Sequence, residues 1–246
     1  MKKTALHARW WREQYEPTLL GLLINPFYFA RRGLLVELRP LFKELTGDVL
    51  DVGCGNEPYR ALIPARQYTG LDVDNAFTRS VGVADVFYQG DDFPLPDSRF
   101  DGVLCSQVLE HVFTPAEFLA EIHRVLRPGG CLVLTVPLAW DEHEQPQDYA
   151  RYTSFGLRAL LERAGFEVVV QRKSVADARA VAQLASAWIY KVVVTRHKWV
   201  NLATQLILIA PVNLVGAVFG ALLPRNEDFY LDNVVLAKKA GARPNS

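Results

Sequence analysis

Residues 48–56 read Asp-Val-Leu-Asp-Val-Gly-Cys-Gly-Asn, an apolar run that ends in two glycines one residue apart. Asp48 to Val52 has the pattern of a short buried strand bounded by glycine. Gly53 and Gly55 follow at once. They let the backbone turn tightly and approach a ligand with no Cβ in the way. In an open parallel sheet, ligands sit at the carboxyl ends of the strands, where the strand order reverses. This turn is therefore the first candidate for a binding site.

Working outward, strands are expected at Tyr68–Val73, Ala84–Tyr88, Phe100–Ser106, Cys131–Val136, Phe166–Gln171 and Phe229–Ala237. Helices fall between them. Thr114 to Leu126 is a helix with Thr114 as its cap, Pro115 in the first turn and Glu117 completing a capping box. Pro128-Gly129-Gly130 closes it. Ser154 to Ala164 is a second helix, stopped by Gly165. Upstream, Leu34 to Leu45 is an amphipathic helix broken at Pro40. Such alternation gives an α/β fold with a mostly parallel sheet and helices on both faces.

The chain has 246 residues, half of them hydrophobic, enough for one large domain with an insertion. Its formal net charge is zero, which argues against nucleic acid as a partner. The three cysteines, Cys54, Cys105 and Cys131, have no metal-ligand spacing and read as buried thiols of a reducing cytoplasm. The opening Met1-Lys2-Lys3 starts like a signal peptide, but His7, Arg9, Arg12 and Glu13 interrupt any apolar core, so a cytoplasmic protein is expected.

The second strand ends Gly70-Leu71-Asp72-Val73-Asp74. Asp72 lies about twenty residues beyond the glycine turn, where such folds place a carboxylate that accepts ribose hydroxyls. A dinucleotide fingerprint would need a third glycine, and Pro58 and Tyr59 stand there instead. A pyrophosphate would lose its close backbone approach.

From here the sequence resembles a known family. Asp51-Val52-Gly53-Cys54-Gly55 is similar to motif I of class I S-adenosylmethionine (SAM)-dependent methyltransferases. The resemblance continues through Gly90-Asp91-Asp92-Phe93-Pro94-Leu95, Phe100-Asp101, Leu109-Glu110-His111-Val112 and Arg124 to Gly130. This is the running pattern of the type 11 subfamily, over about residues 48–172. It implies a Rossmann-like sheet of seven strands whose last strand is antiparallel, with SAM as cofactor. By that resemblance Gly53, Cys54 and Gly55 would lie against the methionine part, with Asp51 receiving its amino group. Asp72, with Val73 beside it, would hold the ribose. Asp91 or Asp92 would sit near the adenine, and Ser106 and Gln107 would close the methionine side. The family usually has Leu-Pro-Phe where this chain has Phe93-Pro94-Leu95.

Methyl transfer needs alignment, and a base only if the acceptor must lose a proton. His143-Glu144-Gln145-Pro146-Gln147-Asp148-Tyr149-Ala150-Arg151-Tyr152-Thr153 leaves the carboxyl end of the fifth strand and should face the cofactor. It resembles a run found in part of the type 11 subfamily. His143 is the first choice as general base, since imidazole titrates near working pH. The alternative is a loop held by Asp148–Arg151 pairing that only shapes the pocket. His111 is a weaker candidate that caps or packs a helix entry. No metal is expected. Cys105-Ser106-Gln107-Val108 stands where DNA amino-methyltransferases carry an Asn- or Asp-Pro-Pro-aromatic tetrapeptide, so nucleobase methylation is disfavoured.

The expected organisation is a helical leader or lid (1–45), a SAM-binding core (46–173), an apolar helical insertion (174–227), and the last strand with a tail (228–246). Trp199 to Leu223 is long enough to cross a bilayer. Strands of one sheet flank it, however, so the chain must return to the side it left. Pro211, Asn213, Gly216 and Gly220 should break or bend the segment midway, which suits a hairpin or an interfacial helix. An antiparallel last strand would put the insertion at the SAM edge. Its occupant would be a membrane surface, a second copy of the chain, or a small apolar substrate under a lid. The expected function is methyl transfer to a small-molecule or lipid-linked acceptor. The rival is a non-catalytic SAM-binding, membrane-associated interaction protein.

Overall fold

The computed structural model describes residues 13–90 and 92–240. The basic opening segment and Asp91 lie outside the described residues. The chain divides into two compact units. A sheet unit comprises Leu38–Leu138, Glu142–Arg172 and the chain from Asn233. A helical unit comprises the chain up to Glu37, Ala139–Asp141 and Lys173–Asp232.

The seven strands are β1 (Gly47–Val52), β2 (Ala65–Val73), β3 (Val86–Tyr88), β4 (Phe100–Ser106), β5 (Leu126–Pro137), β6 (Phe166–Ser174) and β7 (Asp232–Lys239). They form one sheet in the order β3-β2-β1-β4-β5-β7-β6. β1 pairs in parallel with β2 on one side and β4 on the other. The chain winds outward through β2 and β3, then restarts at β4, so the order reverses beside β1. The carboxyl end of β1, where Gly53 and Gly55 stand, is thus the topological switch point. β7 runs antiparallel to β6: Leu231 N–H bonds Ser174 O at one end and Ala240 N–H bonds Gly165 O at the other.

The crossover helices in this unit are short. One runs from Ala76 to Val81, one from Pro115 to Val125 and one from Ser154 to Arg163. The Pro115–Val125 helix turns Phe118, Leu119, Ile122 and Val125 to one side, the spacing of an apolar stripe, and all four are buried. They pack with Leu50, Val103, Leu132, Leu134 and Val235 in the main core. The three cysteines are buried free thiols.

Three local expectations change. Thr114 makes no side-chain capping bond, so the capping box with Glu117 is absent; Pro115 in the first turn starts the helix instead. Pro128-Gly129-Gly130 does not separate helix from strand. β5 starts at Leu126, and Phe100 pairs with Leu126 while Gly102 pairs with Cys131, so Arg127 to Gly130 bulge out of the ladder. The helix expected from Leu34 to Leu45 runs from Tyr28 to Leu38, and beyond Pro40 a tight turn over Leu41–Glu44 replaces it.

In the helical unit, Ala178–Val193 is one arm of a hairpin. The other arm is continuous from Lys198 to Leu222, 25 residues. The expected midway break is absent, and the turn falls before Lys198. Around Gln205–Ile209 the helix widens, with Ala210 N–H bonding Gln205 O five residues back. That wide turn accommodates Pro211, whose ring would otherwise meet the carbonyl four residues earlier. The remaining supposed breakers are contact residues. Asn213 is fully buried; its Nδ2 donates to Leu22 O at 3.0 Å and Asn25 O at 3.3 Å, and its Oδ1 accepts from Ser186 Oγ at 2.9 Å. A Cβ on Gly216 would lie 2.3 Å from Ala182 Cβ. Gln183 ties in the Tyr28–Leu38 helix, accepting from Ala30 N at 3.1 Å and donating to Pro26 O at 2.8 Å.

Candidate active site

The glycine turn continues the sheet pattern for two residues past β1. Gly53 N–H and Cys54 N–H both bond Leu71 O, at 2.8 and 3.2 Å. Gly53 has φ +68° and Gly55 φ +51°. A Cβ on Gly53 would meet Val108 Cγ2 at 2.4 Å, whereas one on Gly55 would meet nothing within 4 Å. Gly53 is thus needed for the turn and for packing, while Gly55 faces open space in which a ligand can approach the backbone.

Asp72, at the end of β2, reaches back to this turn. Its Oδ2 accepts from Gly55 N at 2.9 Å and its Oδ1 from Val73 N at 2.8 Å. Burial raises its pKa, against the two backbone N–H groups that favour the ionised form. Cys54 Sγ lies 4.0 Å from Asp72 Oδ2, and burial pushes this thiol up, so it is not a nucleophile.

Asp51, at the end of β1, is buried and accepts from Tyr68 Oη at 2.6 Å. Burial pushes its carboxyl up to about 7; the Tyr68 bond opposes this, and the charges of Glu57 and Asp72 add to it. Sequence reasoning missed Tyr68 and Glu57. Glu57 sits at φ +51°, accepts from Arg60 Nη1 through Oε2 at 2.7 Å and keeps Oε1 buried without a hydrogen-bond partner. The only signal was a carboxylate two residues beyond the glycines.

Ser106 and Gln107 follow β4 and are both tied to β5 through Thr135. Ser106 Oγ and Thr135 Oγ1 are 2.9 Å apart, and Gln107 Nε2 donates to Thr135 Oγ1 at 3.1 Å. Asp92 is exposed. Beyond it, Phe93 N donates to Glu121 Oε2 at 2.7 Å, and Arg124 clasps the loop through Leu95 O and Asp97. Phe93 packs edge-on against Tyr88 and Phe118.

The loop after β5 brings a second group together. Asp148 accepts from His143 N at 2.9 Å, and its Oδ2 lies 3.4 Å from His143 Nδ1. Arg151 grips the same carboxylate with two bonds, 2.6 and 2.7 Å, and holds it far below the usual carboxylate range. The Asp148–Arg151 pairing of the bland reading is therefore present, and it anchors His143. His111 is no mere helix cap. Its Nδ1 is 2.6 Å from Gln147 O, and its ring meets the His143 ring edge-on with centroids 4.7 Å apart. His111 Nε2 is 3.9 Å from both Glu110 Oε1 and Glu144 Oε2. Ligand atoms of Glu110, His111 and His143 lie within 4.8 Å of one another, a spacing that could hold a metal ion. The sequence spacing had offered no such set. Tyr149 N and Ala150 N bond Glu110 O, which closes the loop onto the segment after β4. The charge of Glu144 adds, after burial, to the upward shift of Asp72.

Asp51, Glu57 and Asp72 thus cluster at the glycine turn, with Asp51 feeling the charges of the other two. That concentration of carboxylate with a buried, unsatisfied oxygen suits a cationic ligand and opposes a phosphate. SAM, with an ammonium and a sulfonium, fits it.

The comparisons agree with that chemistry. A family model described as a methyltransferase domain matches residues 50–134. A probable S-adenosylmethionine-dependent methyltransferase of Mycolicibacterium smegmatis is 35% identical over 166 residues, 62% of this chain and 64% of that protein. A fatty-acid O-methyltransferase of the same organism is 36% identical over 163 residues, 58% of each chain. The chain therefore spans less than two thirds of the length of these curated relatives. Among solved structures, a SAM-dependent methyltransferase from Archaeoglobus fulgidus shares the fold with a TM-score of 0.54 and 19% identity, covering 86% of this chain and 96% of that one.

Proposed function

We propose that this protein, whose residues 50–134 match a family model described as a methyltransferase domain, transfers a methyl group from SAM to a small-molecule or lipid-linked acceptor. The observation that carries this is the cluster of Asp51, Glu57 and Asp72 at the glycine turn, where Gly55 faces open space. When bound, SAM supplies an electrophilic methyl on a sulfonium. Asp51 holds the amino group. Asp72 offers the ribose the lone pairs left free by Gly55 and Val73 N–H. Cys54 lends backbone, and Ser106 and Gln107, fixed by Thr135, line the methionine side. Asp92, with Asp91, is assigned to the adenine end.

The base we assign is His143. With Nδ1 3.4 Å from Asp148 Oδ2, the imidazole is held by a carboxylate, as suits a base that takes a proton from an acceptor hydroxyl. His111, fixed by Gln147 O, orients it.

Support for an apolar acceptor comes from the helical unit and from the relative named for fatty acids. The Lys198–Leu222 arm is long and apolar enough to cross a membrane, and Trp199, Ile207, Val215 and Leu222 on it are exposed. We infer that residues 174–227 rest on a membrane surface.

The test is conversion of SAM to S-adenosylhomocysteine by the pure full chain, with lipid extracts and soluble metabolites as separate acceptor pools. Asp72→Ala should weaken SAM binding at least tenfold by calorimetry, since a charged hydrogen-bond acceptor contributes roughly 1.5–3 kcal/mol. His143→Ala should bind SAM normally and lose about 10²–10⁴ in kcat. SAM binding with no turnover on either pool would favour the non-catalytic, membrane-associated rival.

A further inference from the structure

The helical unit holds a cavity of about 450 Å³ that the methyl-transfer reading does not use. Its walls are of two kinds. Leu19, Leu22, Phe29, Val36 and Ala217 give an apolar side. Arg32, Arg179 and Arg225 give a cationic side; Asp177 and Glu37 stand in the same wall, and Glu227 pairs with Arg225 Nε at 2.9 Å. Tyr28, also in the wall, feels the charges of both Arg32 and Arg179 at its hydroxyl.

The chain is shaped to make this space. Val175, in the wall, has φ +50°, a left-handed conformation that a β-branched residue adopts only under constraint. A Cβ on Gly33 would lie 2.3 Å from Val175 Cγ2, and one on Gly220 would lie 2.5 Å from Arg179 Cγ. Both glycines stand inside helices, where glycine is destabilising relative to alanine. One clears room for the strained valine and the other for the arginine stem. Asp177 is buried and caps the Ala178–Val193 helix. It also accepts from Arg179 Nε at 2.8 Å and from Nη2, which fixes the guanidinium and leaves Nη1 outside the fork. A positioned guanidinium with two further arginines is a recognition unit for phosphate oxygens.

Part of the cavity's apolar wall is exposed. Leu19 and Val36, which line it, are 79% and 52% exposed. Trp188 and Trp199, 68% and 73% exposed, are the residue type that settles at the level of lipid headgroups. We propose that this cavity binds the phosphate headgroup of an anionic bilayer lipid, its acyl chains lying along Leu19, Leu22 and Val36. The proposal rests on the membrane reading of residues 174–227 and gives that contact its lipid preference.

The experiment is flotation of the full chain with vesicles of phosphatidylcholine alone and with vesicles containing phosphatidylglycerol. The variant is Arg32→Gln/Arg225→Gln, which leaves the Asp177–Arg179 pair in place; thermal unfolding checks its fold. The wild type should favour the phosphatidylglycerol vesicles at least tenfold. The variant should bind both vesicles as the wild type binds phosphatidylcholine. Arg196→Gln/Lys198→Gln, outside the cavity, should keep the preference. Loss of the preference in this control instead, or equal wild-type binding to both vesicles, overturns the cavity assignment and leaves membrane contact standing. Competition by soluble glycerol phosphate without vesicle binding identifies a free phosphate ligand and overturns the lipid. A chain that binds neither vesicle and forms a detergent-independent dimer overturns the membrane reading itself.

Discussion

Glycines do different work in the two units. After β1, Gly53 and Gly55 hold φ +68° and +51°, which other residues reach only at a cost. In the Ala210–Leu222 helix, Gly216 and Gly220 lie outside the left-handed region, and what they supply is nearness: Ala182 and Arg179 occupy the space a Cβ would need. The first pair sets the path of the chain, and the second sets the distance between helices. The same residue type in a sequence therefore marks a turn in one unit and a contact in the other.

The strongest way to break that contrast is Gly53→Val. It adds a left-handed β-branched residue, at about 1–2 kcal/mol, to a collision with Val108 costing roughly 1–3 kcal/mol. Loss of about 2–5 kcal/mol should lower Tm on the order of 10 °C, and Val108→Ala should recover only the collision part. A Tm equal to wild type would mean that the turn tolerates a side chain. Next in size is Gly216→Ala. Overpacking against Ala182 should destabilise by roughly 1–3 kcal/mol, offset by up to ~1 kcal/mol of helix propensity. Here a partner change should give full rescue: Gly216→Ala/Ala182→Gly unfolds like wild type if nearness is all that matters.

The smallest effect is a pH dependence at the glycine turn. Asp51, pushed from 3.8 up to about 7 by burial, favours the protonated form when folded. Its contribution to ligand-free stability is whole below about 3.8 and is lost as pH rises through about 7. SAM binding runs the other way, because its ammonium needs the carboxylate. Affinity should fall about tenfold per unit of pH below about 7. Calorimetry over pH 5–8 measures the slope, and Asp51→Asn should flatten it. A slope unchanged in that variant would assign the titration elsewhere.

What the sequence disclosed follows the same division. All seven strands, the turn after β1 and Asp72 at the end of β2 were legible, because period, glycine and spacing are local signals. The Arg127–Gly130 bulge was not, because it comes from the pairing of β5 with β4 rather than from its own residues. Thr114 has the right type for a cap, yet Pro115 alone suffices to start the helix. Glu57 and Tyr68 carry no motif of their own; the fold makes them neighbours of Asp51. The meeting of His111 with His143 spans a loop closed by Glu110 O, and no spacing announces it. Pro211, Asn213, Gly216 and Gly220 misled for one reason. Their propensities describe an isolated helix, and this helix is packed on another.

The wide turn at Gln205–Ile209 has a consequence for phase. A turn with one bond reaching five residues back holds one residue more than an α-helical turn, so everything after it is rotated by about 100° relative to an unbroken helix. Asn213, Gly216 and Gly220 meet Ser186, Ala182 and Arg179 only at that rotation. The wide turn thus acts as an angular offset written into the helix. It aligns the second half with its partner: return to four-residue bonding at constant length would swing the buried Asn213 away from Ser186, whereas deleting one residue within the wide turn would leave it in phase.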